Sequence, residues 1–182
     1  MRIITGVARG RKLLAPEGTD VRPTAEITKE AVFSAIQFEV AGARMLDLFA
    51  GTGQMGLEAI SRGAKSVVFV ESGRPSLEAL RANIAACGFE QQCRVAAMDV
   101  LRFLEADGGE YDIAFLDPPY SQGLAQAVLP LVAQRMSPGG VILCETHRQE
   151  EMPQEAGKFR WMKARRYGKA MVHTYRIPEE EE

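Results

Sequence analysis

The chain has 182 residues, 46% of them apolar and 25% charged; that is long enough for one full α/β domain, short for two, and unlike a disordered or fibrous protein. No apolar run approaches the ~18 residues of a membrane span, the start lacks a secretory core, and Cys87, Cys93 and Cys144 form no CxxC, so a cytoplasmic protein without a disulfide framework or zinc site is expected. The net charge of −2 argues against a nucleic-acid partner, but it sums basic ends and an acidic middle.

Taken in chain order, Arg2–Thr5 and Arg11–Ala15 read as a small β-hairpin extension over residues 1–23. After Arg22-Pro23, Thr24 can cap a helix running to about Glu39, with Ile27, Ala31 and Ala35 spaced for one face. Apolar runs then alternate with helical periodicity. Strands are predicted at Arg44–Phe49, Ser66–Val70, Arg94–Ala97, Asp112–Leu116 and Gly140–Glu145. Helices are predicted near Gln54–Arg62, Pro75–Cys87, Asp99–Glu105 and Gln122–Arg135, the second with Leu77, Leu80 and Ile84 on one face. Lys158–Arg165 and Ala170–Ile177 follow as strands without an intervening helix. The expected fold is α/β and Rossmann-like: a mostly parallel seven-stranded sheet with an antiparallel C-terminal strand. Residues 24–178 form its core and 179–182 an acidic tail, the whole chain being one domain.

Two constellations lie at strand ends. Asp47-Leu-Phe-Ala-Gly51-Thr-Gly53-Gln-Met-Gly56 sets a G-x-G-x-x-G between strand and helix, and Glu71 ends the next strand 20 residues after Gly51. Such glycines let a ligand approach the backbone, and the acid can bind ribose hydroxyls. A glycine-rich turn is the bland alternative, which strand, helix and acid together outweigh. Asp47 adds negative charge that suits the cationic S-adenosylmethionine better than a pyrophosphate, although it can also brace the loop. Asp99 can accept the adenine amino group or cap a helix. Ile113-Ala-Phe-Leu-Asp117-Pro118-Pro119-Tyr120 supplies a stiff turn whose Asp117 carboxylate and Pro118 carbonyl can accept from one exocyclic NH2, with Tyr120 offering a ring for a base. His147 and His173 fall in no motif and read as structural or surface residues.

Together these motifs resemble the Rossmann-like methyltransferases that modify exocyclic amines. Arg2-Ile-Ile-Thr-Gly, Arg9-Gly-Arg-Lys-Leu13, Arg22-Pro-Thr24 and Gly56-Leu-Glu-Ala-Ile-Ser-Arg-Gly63 narrow the resemblance to the RsmD family. Those bacterial enzymes methylate guanine N2 in small-subunit ribosomal RNA. The resemblance runs from Arg2 to about Tyr175; the acidic tail departs from it. It implies Phe49, Gly51 and Gly53 around the methionine end of the cofactor, Glu71 on the ribose, Asp99 near the adenine, and Asp117, Pro118, Pro119 and Tyr120 around the target base. It also implies Arg22 and Thr24 at the pocket mouth.

The basic ends fit an RNA substrate. Residues 1–30 hold six basic and four acidic side chains, residues 31–156 nine and sixteen, and residues 157–178 seven and none. Arg9 and Arg11 of the extension, with the basic stretch 157–178, are expected to grip phosphates, and a chain this short favours ribosomal RNA folded within an assembling 30S particle. No metal or membrane is implied. An adenine-N6 methyltransferase shares both motifs; a protein-glutamine methyltransferase would more usually carry Asn at Asp117. A catalytically silent RNA-binding module would need neither Glu71 nor Asp117, and a nicotinamide oxidoreductase would need a hydride-transfer acid.

Overall fold

The computed structural model describes residues 1–16, 23–120 and 123–179, with no side chains given for 23–25. Arg22, the Thr24 side chain, Gln122 and the tail Glu180–Glu182 therefore lie outside the described residues. After α1 (Pro23–Ala35), the chain runs β1 (Arg44–Leu48), α2 (Gln54–Ser61), β2 (Ser66–Glu71), α3 (Arg74–Cys87), β3 (Cys93–Ala97), α4 (Val100–Ala106), β4 (Tyr111–Leu116), α5 (Leu124–Ala133) and β5 (Met136–His147). It ends in β6 (Glu155–Ala156), β7 (Phe159–Tyr167) and β8 (Ala170–Arg176).

The strands form one sheet in the order β3-β2-β1-β4-β5-β8-β7-β6. The first five are parallel. β8 enters antiparallel to β5, followed by β7 and β6, also antiparallel. There are thus eight strands where the sequence predicts seven, and the antiparallel part is three strands rather than one. The extra strand, β6, has two residues, too few to leave a period-2 signal.

Alternate residues of the parallel strands feed two cores. Met45, Phe69, Ile113, Phe115 and Leu143 pack beneath α1, α2 and α3, while Leu46, Val70, Ala114, Leu116 and Ile142 pack beneath α4 and α5. Burial on both faces is why these strands read as nearly continuous apolar runs. β1 and β4 are neighbours, yet the chain leaves β1 toward β2 and leaves β4 toward β5. A crevice opens at such a switch point, beyond the strands' C-terminal ends.

The expected hairpin is present but short: Arg2 and Lys12 form an antiparallel bridge, flanked by Ile3 N–H to Arg11 O at 2.9 Å and Leu13 N–H to Met1 O at 3.0 Å. One expectation in the first 40 residues fails. The buried face of α1 is Thr28, Lys29, Val32 and Phe33, continued by Ile36 just past its end, while Ile27 stands 62% exposed. A buried lysine at the centre of that face hides it from an apolar count. The helix also begins at Pro23, one residue before the expected cap.

Candidate active site

The cofactor loop follows β1 directly. Phe49 adopts φ +58°, the one positive φ outside glycine among the described residues; such backbone strain persists only where the surroundings enforce it. The glycines then divide in role. A Cβ on Gly51 would meet nothing within 4 Å, whereas one on Gly53 would fall 2.3 Å from Leu80 Cδ1 and one on Gly56 would fall 2.3 Å from the Phe69 ring. Gly51 therefore gives the loop its open side, and Gly53 and Gly56 let α2 lie against β2 and α3.

Two carboxylates shape this loop. Glu71 Oε2 accepts the Gly51 N–H at 2.8 Å, and Oε1 accepts the N–H groups of Ser72 at 2.9 Å and Gly73 at 2.7 Å. Asp47 is 2% exposed and accepts the Gly56 N–H at 3.0 Å. Burial pushes its carboxyl well above the usual carboxylate range, partly offset by the Gly56 bond and reinforced by the charges of Asp117 and Glu71. The bracing role is thus realised in Asp47, which lies within electrostatic reach of Asp117 and Glu71. Asp99 likewise takes the helix-cap role: its Oδ1 accepts from Leu101 at 2.9 Å and Arg102 at 3.2 Å, at the start of α4.

Across the switch point, β4 delivers the Asp-Pro-Pro-Tyr turn. The Asp117 N–H still reaches Leu48 O of β1, at 3.4 Å, which ties this turn to the root of the cofactor loop. Asp117 and Pro119 are exposed, Pro118 is buried and Tyr120 half-buried. The Tyr120 ring meets His147 edge-on, with centroids 5.7 Å apart.

His147 belongs to a network with no sequence signature. Trp161 Nε1–H can only donate, and it reaches His173 Nδ1 at 3.1 Å. His173 Nε2 therefore carries the proton and donates to Thr146 Oγ1 at 3.1 Å. Thr146 Oγ1 donates in turn to His147 O at 3.2 Å. His173 is 7% exposed and burial lowers its basicity, so it is a structural residue. His147 is instead brought beside the Tyr120 ring.

The amino-terminal segment is clamped to α2 and α3. Glu58, fully buried, accepts the Ile4 N–H at 2.8 Å on Oε2 and the Thr5 N–H at 3.0 Å on Oε1. Lys29 Nζ approaches Glu58 Oε2 at 3.5 Å and Arg62 Nε donates to Oε1 at 2.9 Å. Ser61 Oγ accepts from Ala8 N–H at 3.0 Å and donates to Thr5 O at 2.6 Å. Gly6, at φ +89°, must be glycine because a Cβ there would lie 1.7 Å from Ser61 O. These contacts give the stretch Gly56–Gly63 a physical reason.

Asn83 extends the clamp to the cofactor loop. It accepts Leu14 N–H at 2.7 Å and donates to Leu14 O and Thr52 O, both at 3.0 Å. Its outer side lines an open groove of about 740 Å³ with Arg9, Arg11 and Lys12, all three exposed. In the carboxyl-terminal basic stretch, Arg176 is committed to Glu39 at 2.7 and 2.8 Å and Arg160 to Glu155 at 3.3 Å. Lys158, Lys163, Arg165 and Lys169 are exposed and form no ion pair among the described residues. No group of three His, Cys, Asp or Glu side chains among the described residues could hold a metal ion, and no helix among them is long and apolar enough to cross a membrane.

With this geometry in place, the chain compares with known proteins as follows. The family profile described as conserved hypothetical protein 95 matches residues 1–176. The chain is 34% identical to the ribosomal RNA small subunit methyltransferase D of Haemophilus influenzae over 158 residues, 84% of this chain and 81% of that one. It is 36% identical to the protein of the same name from Escherichia coli K12 over 132 residues, 72% of this chain and 66% of that one. The solved structure of yhhF from Escherichia coli shares the fold at a TM-score of 0.87 and 29% identity, over 98% of this chain and 99% of that one.

Proposed function

The chain is a member of the ribosomal RNA small subunit methyltransferase D family, and from that membership we propose that it transfers a methyl group from S-adenosylmethionine to the exocyclic N2 of a guanine in small-subunit ribosomal RNA. One observation carries the reading: the open Gly51 loop after β1 and the Asp117 turn after β4 face each other at the switch point, linked by the Asp117–Leu48 backbone bond. The residues fit the cofactor. Gly51 leaves room for a ligand against the backbone, Glu71 keeps one lone-pair direction on Oε2 for a ribose hydroxyl, and no donor among the described residues reaches Asp99 Oδ2. Asp47 lies within electrostatic reach of Glu71 and Asp117, and a sulfonium and an ammonium beside them would favour their ionised forms where a pyrophosphate would not.

S-adenosylmethionine supplies an electrophilic methyl group. Asp117 and the Pro118 carbonyl would accept the two N–H bonds of the target amine, which localises the nitrogen lone pair and stabilises positive charge as the C–N bond forms and the methyl–sulfur bond breaks, its electron pair staying on sulfur as a thioether. Asp117 or water then takes the proton. Tyr120, held by His147, offers its ring to the base, which must be unpaired or flipped to enter. Arg9, Arg11 and the unpaired cations of β7 bind phosphates, and Arg22 and Thr24 contribute to substrate binding. In this reading residues 1–182 act as one methyltransferase domain on RNA within an assembling 30S particle in the cytoplasm. Incubation with labelled S-adenosylmethionine and undermethylated 30S subunits, free rRNA or DNA, followed by nucleoside analysis, tests it. Label is expected as N2-methylguanine from 30S subunits; N6-methyladenine would refute the assignment.

A further inference from the structure

The acceptor side of the cleft holds a second carboxylate that the Asp-Pro-Pro-Tyr motif does not include. Parallel pairing of β4 with β5 runs Ile113 to Val141, Phe115 to Leu143 and Leu116 to Cys144. One further step along that register sets Asp117 beside Glu145. Both lie on the face of Ile113, Phe115, Val141 and Leu143, since side chains alternate along a strand. His147, two residues on and on the same face, is the residue that touches the Tyr120 ring. Glu145 thus points from the side of β5 to which Tyr120 folds back. It is half-buried.

We propose that Glu145 is the specificity-determining residue that selects guanine, by accepting the N1–H while Asp117 holds the N2 amine. The inference rests on the guanine-N2 reading above. Guanine presents N1–H and N2–H2 side by side, an unbroken row of donors, and two ionised carboxylates on strands ~4.8 Å apart are acceptors only. Adenine presents its N6 amine next to N1, a lone pair. A carboxylate facing that lone pair is repelled, and a buried acceptor without a donor rejects a base more sharply than lost contact area does. Asp117 by itself treats both amines alike; Glu145 is what tells them apart.

The test uses single-turnover transfer from labelled S-adenosylmethionine onto 30S particles reconstituted with transcribed small-subunit rRNA, with the guanine that takes label either kept or replaced by 2-aminopurine. 2-Aminopurine keeps the exocyclic amine and carries a lone pair at N1. The wild-type protein is expected to methylate it about a hundredfold more slowly than guanine. Glu145→Gln, whose amide can donate to that lone pair, should lower the guanine rate about ten- to a hundredfold and narrow or invert the preference. Its cofactor affinity should stay unchanged. Equal wild-type rates on the two bases would overturn the proposal, as would a Glu145→Gln variant that keeps the wild-type preference, and the first comparison needs no variant. Wild-type label recovered as anything but N2-methylguanine would instead overturn the functional reading beneath it, and that result appears before any base is replaced.

Discussion

Glu58→Gln is the sharpest test of how the amino-terminal segment is held. The side chain is fully buried and meets a donor on every side: Ile4 N–H and Lys29 Nζ at Oε2, Thr5 N–H and Arg62 Nε at Oε1. Glutamine keeps the shape, but whichever way its amide faces, the NH2 meets a backbone N–H and a cation. Lys29, also fully buried, loses its counter-charge; burial already lowers its basicity, and Glu58 opposes that shift. Leaving one member of a buried pair uncompensated costs about 3–5 kcal/mol, and each buried donor without a partner about 1–3 kcal/mol. These contributions overlap, so about 3–5 kcal/mol in all is expected, a large share of the ~5–15 kcal/mol that holds a domain folded. At ~2–4 °C per kcal/mol for a chain of this size, melting should fall by roughly 6–20 °C by calorimetry. Amide exchange at Ile4 and Thr5 should accelerate with it. Adding Lys29→Met removes the stranded cation but also the donor to Arg2 O at 2.6 Å, so little of the loss should return. A fall below ~1 kcal/mol, about 2–4 °C, in the single variant would refute the clamp.

Three further outcomes follow from the same geometry. Asp117→Ala should abolish methyl transfer while calorimetric binding of S-adenosylmethionine is largely kept, since the residue is exposed and lies on the acceptor side; full activity would remove it from the chemistry. Asp47→Asn keeps an acceptor for Gly56 N–H and removes a buried ionisable group, so melting should hold or rise while S-adenosylmethionine affinity falls about tenfold. Because the wild-type carboxyl is shifted upward, cofactor affinity should rise with pH as Asp47 ionises and stability should fall, and both slopes should flatten in the variant. Asp112, whose pKa is held down to about 2 by its hydrogen bonds with Arg44, contributes stability that is complete above its unfolded value near 4 and lost as pH falls through about 2. With its side chain 35% exposed, that is about 1 kcal/mol once solvent screening is discounted; acid titration of Asp112→Asn should lack this step.

Local periodicity made the parallel half of the sheet legible, and two motifs of fixed spacing marked the strand ends where a ligand can sit. β1, β2 and β4 are buried on both faces, so their residues repeat one signal, and the predicted α3 face of Leu77, Leu80 and Ile84 is the buried one. What stayed hidden is polar and long-range. Lys29 reads as a solvated residue until Glu58, 29 positions away, stands beside it. Asn83 carries no motif, and its meaning lies in Leu14 and Thr52. The Trp161–His173–Thr146 chain joins three strands whose order the sequence leaves open. Asp47 and Asp99 show the converse: their residue types fit a ligand role and a bracing role equally, and only hydrogen-bond geometry reveals that both brace.

Asn83 also changes what the charge distribution means. The groove bearing Arg9, Arg11 and Lys12 shares this one side chain with the loop that carries Gly51, so the basic end of the chain and the acidic cleft are parts of one bonded unit. An anionic polymer lying in that groove would load a segment whose position fixes the Thr52 carbonyl, one residue from Gly51. Basic residues placed on a detached extension could raise affinity for any polyanion. Placed here, they put positive charge on the segment that Asn83 bonds to the Gly51 loop, and the small net charge is the sum of two neighbouring surfaces of opposite sign.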